Sequence, residues 1–110
     1  MANIGTIVFK GKFGTKYHFN VCSFDMEFKA IGAVYFITKR TIKEDGSKSH
    51  SSIYVGQTED LSQRLDDHHK ADCFKIMKAN CICIHEESDE ERRLDIEKEL
   101  VAKYSPPCNG

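Results

Sequence analysis

A chain of 110 residues, 40% hydrophobic and 30% charged, is long enough for one domain with a modest core and too mixed to be disordered, collagen-like or a coiled coil. No run approaches the roughly 18 apolar residues of a membrane span, and Met1-Ala2-Asn3-Ile4-Gly5 has neither the charged nor the apolar region of a secretory signal. The net charge of −1 excludes a strongly basic nucleic-acid binder, but residues 1–56 carry eight Lys/Arg against four Asp/Glu and residues 57–110 eight against thirteen, which permits a locally basic face in the first half.

Thr6–Lys10 and Tyr17–Val21 are rich in β-branched and aromatic residues and flank Gly11-Lys12-Phe13-Gly14, a β-hairpin signature. Residues 22–31 carry no clear pattern. Ala33–Thr38 is the most apolar stretch and reads as a central strand, with Ile53–Gly56 as a second short strand. Between them Lys39–Ser52 is polar, turns at Glu44-Asp45-Gly46-Ser47, and reads as a long basic connection. A helix follows from Asp60, a cap with Gln63 as its reciprocal partner, through about His69 on a stripe of Leu61 and Leu65. A weaker helix covers roughly Cys73–Lys78, and Cys81–His85 alternates like a strand. Ser88-x-x-Glu91 is a capping box for a last helix over about Asp89–Tyr104, ended by Pro106-Pro107. The expected fold is α+β: a small antiparallel sheet flanked by helices, with residues 1–30 as a hairpin extension of a single domain.

Two helices break their own pattern. On the last one Leu94, Ile96, Leu100, Val101 and Tyr104 define one face, and Glu97 falls near its middle. A carboxylate there is costly to bury unless it is paired or binds a cation. On the first, Arg64 and His68 stand one turn apart beside the leucine stripe, an arrangement suited to phosphate because Arg holds two oxygens at once. Each also has a plain reading, an acid reaching water or pairing with a structural Arg, and a half-exposed pair at a helix rim. Five cysteines, an odd count, predict reduced thiols in a cytoplasmic protein. Cys81 and Cys83 share a strand face, with Cys73, His68, His69 and Cys108 as potential company. The chain lacks a CxxC pair and a spaced His pair, so small buried thiols are the better reading than zinc.

Ala33-Val34-Tyr35 followed by Tyr54-Val55-Gly56 resembles the paired motifs of the GIY-YIG nucleases. Arg64 lies ten residues after Tyr54, as the family's Arg does, with His68 a turn later, and Glu97, Val101, Tyr104, Pro106 and Asn109 reproduce its E-x3-[IV]-x2-Y-x-P-x2-N pattern. The motifs span residues 32–110. Three features depart from the pattern: Ala33 replaces a Gly, Gln57 stands where the family's repair nucleases tend to carry Lys, and the Tyr35–Tyr54 spacing is long. Some other group must then supply the missing positive charge.

The resemblance implies a DNA endonuclease that hydrolyses phosphodiesters with one divalent metal. Glu97 would hold Mg2+ or Mn2+, Arg64 would bind the phosphate, and Tyr35 would be the general base. The reference pKa of a phenol is about 10, so nearby positive charge must lower it; His68 would take or stabilise its proton. Tyr54 would orient water or phosphate, and Asn109 would tie the tail to the site. Lys39, Arg40, Lys43 and Lys48 are the expected DNA-binding cations. Targeting would come from a partner protein, a homodimer or the 39–52 loop. The alternative is an inactive nucleic-acid-binding or protein-interaction module of the same fold.

Overall fold

The computed structural model describes residues 3–23, 28–64 and 70–109, with Asn3, Gln63 and Arg64 described by their backbone alone. Alternation builds the first hairpin. Strand β1 (Asn3–Lys10) pairs antiparallel with β2 (Lys16–Ser23), placing Phe9 opposite Tyr17 and Ile7 opposite Phe19. Tyr17, Phe19 and Val21 are buried and Lys16, His18 and Asn20 between them are exposed, the period of two of a half-buried strand. The turn closes through Gly11 N–H to the Thr15 carbonyl (2.8 Å), with Gly14 at a φ of 86° that glycine adopts without a steric penalty.

A second hairpin pairs β3 (Ala33–Ile42) with β4 (Lys48–Thr58), and β5 (Cys81–Glu86) lies between the two hairpins. The strand order is β1-β2-β5-β3-β4, every neighbour antiparallel. Cys81–Ile84 of β5 are all buried, as expected of a central strand. One face of the curled sheet packs Phe9, Val34, Phe36 and Val55 against Ile96 and Leu100 of the long helix α3 (Glu90–Tyr104). The other gathers Tyr35, Ile37, Ile53 and Tyr54 with Leu61 of α1 (Leu61–Arg64) and Phe74 of α2 (Ala71–Ile76). The α+β expectation holds, and the N-terminal hairpin joins the sheet through β2 and β5.

Four local expectations are corrected. First, the basic connection over 39–52 is mostly strand. β3 and β4 run on to a tight turn in which the Lys43 N–H donates to the Ser47 carbonyl (2.7 Å) and Asp45 Oδ1 accepts from the Ser47 N–H (2.9 Å). That part of the hairpin looks polar because it extends past the core. Second, the cap of α3 is Asp89, one residue later than expected; its side chain accepts from Glu91 N–H at 3.1 Å. The carbonyl of Ser88 is taken by Arg93 instead. Third, the buried face of α3 is Arg93, Ile96 and Leu100, while Leu94 is 43% exposed. Fourth, Cys73 and Cys108 are joined by a disulfide with a Cα–Cα distance of 5.9 Å, leaving Cys22, Cys81 and Cys83 as buried free thiols. The reduced-thiol expectation thus holds for Cys22, Cys81 and Cys83 and fails for this pair. Among the described residues no helix is long and apolar enough to cross a membrane.

Candidate active site

Tyr35 sits in the middle of β3, fully buried, directly opposite Gly56 of β4. A Cβ on Gly56 would collide with the Tyr35 phenol, so glycine is what lets that ring lie across the neighbouring strand. Two residues earlier, the register between β3 and β4 shifts: Ile37 pairs with Tyr54, but Thr38 pairs with Ser52. Ile53 is the extra residue of this bulge. Such a bulge re-aims side chains, and here both Ile53 and Tyr54 enter the cluster that holds Tyr35. The Tyr35 and Tyr54 rings lie 6.0 Å apart, tilted by 35°, and Phe74 of α2 packs on Tyr54 at 5.5 Å.

The C-terminal segment locks onto the same strand. Asn109, at the end of a 3-10 turn (Pro107–Asn109), accepts from the Val55 N–H and donates to the Val55 carbonyl, both at 2.9 Å. β4 is an edge strand, and the side-chain amide pairs its outer backbone as a further strand would. Cys108, buried beside Asn109, ties the turn to α2 through Cys73, the residue before Phe74. Both halves of the disulfide thus adjoin a residue that touches the Tyr54–Gly56 segment.

Glu97 is half-buried on α3, one turn beyond the buried Arg93. Arg93 donates from Nε to Gln57 Oε1 (3.0 Å) and from Nη1 to the carbonyls of Glu87 (3.0 Å) and Ser88 (2.9 Å). These bonds fix the helix bearing Glu97 against the residue that follows Gly56. The backbone of Arg64 ends α1, whose start is capped by Asp60 Oδ1 accepting from the Ser62 N–H (3.0 Å). The side chains of Gln63 and Arg64, and all of Leu65 to His69, lie outside the described residues, so the reciprocal half of that cap and the placing of Arg64 and His68 do too.

The four expected DNA-binding cations sit beyond the core on the second hairpin. Lys39, Lys43 and Lys48 are exposed and Arg40 is half-buried. Lys39 is four residues past Tyr35 along β3, roughly 13 Å at ~3.3 Å per residue. Asn80 holds the strand there, accepting from the Arg40 N–H (2.6 Å) and donating to its carbonyl (3.0 Å). Arg40, Lys48 and His50 line a pocket of about 180 Å³ against β1. His50 lies 2.8 Å from Thr38 Oγ1, and burial, with Arg40 adding, holds its pKa below the ordinary value.

Cys81 and Cys83 pack into the core cluster beside Phe9 and Phe36. Burial raises the pKa of both thiols and pushes Cys83 up to about 12, so they stay protonated at neutral pH. Sequence reasoning missed Arg93 and the disulfide. Arg93 had one available signal, its position four residues before Glu97 and hence on the same helix face; the Cys73–Cys108 pairing had none.

A conserved-domain profile described as the GIY-YIG catalytic domain matches residues 31–109. The chain therefore belongs to the GIY-YIG family, a family of endonucleases. No curated protein and no solved structure gives a significant match.

Proposed function

We propose that the protein is a metal-dependent DNA endonuclease. The observation that carries this reading is the convergence on one short segment, Tyr54–Gln57, of four separate parts of the chain: Tyr35 over Gly56, Phe74 on Tyr54, Asn109 on Val55 and Arg93 on Gln57.

In this reading Tyr35 accepts the proton of the attacking water. Tyr54, 7% exposed, orients the nucleophile or the phosphate at the mouth of the site. Arg64 holds the phosphate through its planar fork, and His68 receives or stabilises the proton. Asn109 keeps Val55, and with it the tyrosine beside it, in place. Among the described residues no group of three or more His, Cys, Asp or Glu could cage a metal. A half-buried single carboxylate suits a hard cation that keeps several waters and takes further oxygens from the substrate phosphate, so Glu97 fits as the protein ligand. When bound, the ion would polarise the phosphate and offset charge on the leaving oxygen. Lys39, Arg40, Lys43 and Lys48 would bind the DNA backbone away from the chemistry.

The alternative, an inactive nucleic-acid-binding or protein-interaction module, draws on Gln57 standing where the family's repair nucleases tend to carry Lys. Incubating the purified protein with branched, single-stranded and duplex DNA, with and without Mg2+ or Mn2+, separates the two. Metal-dependent cleavage of any of them supports the nuclease. Binding without cleavage across all of them supports the module.

A further inference from the structure

We infer that Arg93 is a substrate-phosphate contact, supplying the cation that Gln57 does not; the inference rests on the nuclease reading above. Arg93 is 3% exposed, yet no ion pair joins it to a described carboxylate. Its three hydrogen bonds to described residues go to uncharged oxygens, and the nearby Glu87 carboxylate is paired with Arg92 at 3.0 Å. Burying a guanidinium without a counter-charge is costly. A structural clamp on two carbonyls and an amide could be built more cheaply from a neutral donor.

Its position explains what the charge is for. Arg93 Nε grips Gln57, which follows the Tyr54-Val55-Gly56 motif. Its Nη1 lies where a Cβ on Gly32 would be, 2.6 Å away, and Gly32 precedes the Ala33-Val34-Tyr35 motif. The guanidinium thus spans the ends of both motifs, one helical turn before Glu97. Nη2 donates to no described residue. Because no buried side-chain nitrogen or oxygen among the described residues lacks a partner, Nη2 is not fully enclosed, although Arg93 as a whole is 3% exposed. A guanidinium held by two of its nitrogens, with the third left without a described partner, is prepared for a phosphate oxygen at little cost in side-chain freedom.

The test measures binding of a short duplex in EDTA over a range of salt, and cleavage in Mg2+, for wild type, Arg93→Gln and Arg93→Lys, each checked for folding by thermal unfolding. Arg93→Gln is expected to flatten the log–log salt dependence of binding by about one unit and to lower kcat on the order of 10²-fold. Arg93→Lys is expected to keep the slope and still lose most of the cleavage. A purely structural arginine would change the unfolding temperature and leave the slope alone. A folded Arg93→Gln protein with an unchanged slope and cleavage within threefold of wild type overturns the inference and leaves the nuclease reading standing. Should neither variant fold, the 15N side-chain resonance of Arg93 in the wild type decides. A shift on adding a single-stranded deoxyoligonucleotide supports the contact, and an unmoved signal in a protein that binds the DNA refutes it. A wild-type protein that neither binds nor cleaves DNA removes both readings together.

Discussion

The ring of Tyr35 occupies the volume that a side chain on Gly56 would need, across the β3–β4 pair. The glycine is there for space and not for backbone freedom, since among the described glycines only Gly5, Gly14 and Gly46 have positive φ. Gly56→Ala should therefore force either the phenol or the strand to move. Overpacking of this kind typically costs about 1–3 kcal/mol. Chemical denaturation should show that loss, and a Gly56→Ala protein as stable as wild type would mean that the Tyr35 ring lies elsewhere.

Asn109 acts on Val55 as a strand would, with one donor and one acceptor. Asn109→Ala should cost about 1–2 kcal/mol, the net value of two exchanged hydrogen bonds at a partly exposed edge. Asn109→Asp should be no better. It can still accept from the Val55 N–H, but it then places a negative oxygen against the Val55 carbonyl. Equal stability of the Asp variant and wild type, measured by thermal unfolding at neutral pH, would remove the two-point clasp.

The disulfide and the thiols make a prediction that can be counted. The unreduced native protein should react slowly with a thiol reagent, because Cys22, Cys81 and Cys83 are buried and burial raises the pKa of each. Denatured without reductant it should label three cysteines, and after reduction all five. Closing a loop with 35 residues of separation should stabilise the fold by about 2–4 kcal/mol, lost on treatment with a dithiol. Five labelled thiols in the denatured, unreduced protein would contradict the Cys73–Cys108 bond.

The far end of the second hairpin should govern affinity and leave the chemistry alone. Lys43 and Lys48 flank its turn and are exposed. Replacing both with Ala should weaken DNA binding across sequences and reduce the salt slope by up to about two units, one per lost phosphate contact. The rate at saturating DNA should change little. An unchanged slope would move the binding surface elsewhere.

Strands and helices with strong local signals were legible in the sequence. The first hairpin declares itself by alternation, and the turn at Asp45-Gly46 by its residue types. What the sequence hid was set by tertiary contacts. Lys39 to Ile42 and Lys48 to Ser52 look like loop because they extend past the core, where ladder hydrogen bonds rather than burial hold a strand. Arg93 was hidden by its charge, since apolar periodicity selects Leu94, which is exposed, over an arginine whose bonds go to Gln57, Glu87 and Ser88. Cys73 and Cys108 meet only after α2 and the C-terminal turn have docked on the same face. Tyr35, Tyr54 and Asn109 were proposed from ordered motif spacing alone, whereas Glu97 also drew notice as a carboxylate on an apolar helix face.

Cleavage of DNA with a metal held by Glu97 is the proposed activity. It is tested most directly by single-turnover cleavage in Mg2+ by wild type and Glu97→Gln, at protein concentrations where both bind the same fraction of DNA. The amide keeps the shape of the side chain and removes the charge that holds the cation. Wild type should cleave until EDTA is added, and Glu97→Gln should keep its fold and not cleave. Turnover by the variant at the wild-type rate would take Glu97 out of the mechanism, and wild-type protein that binds DNA in Mg2+ without cutting it would contradict the claim itself.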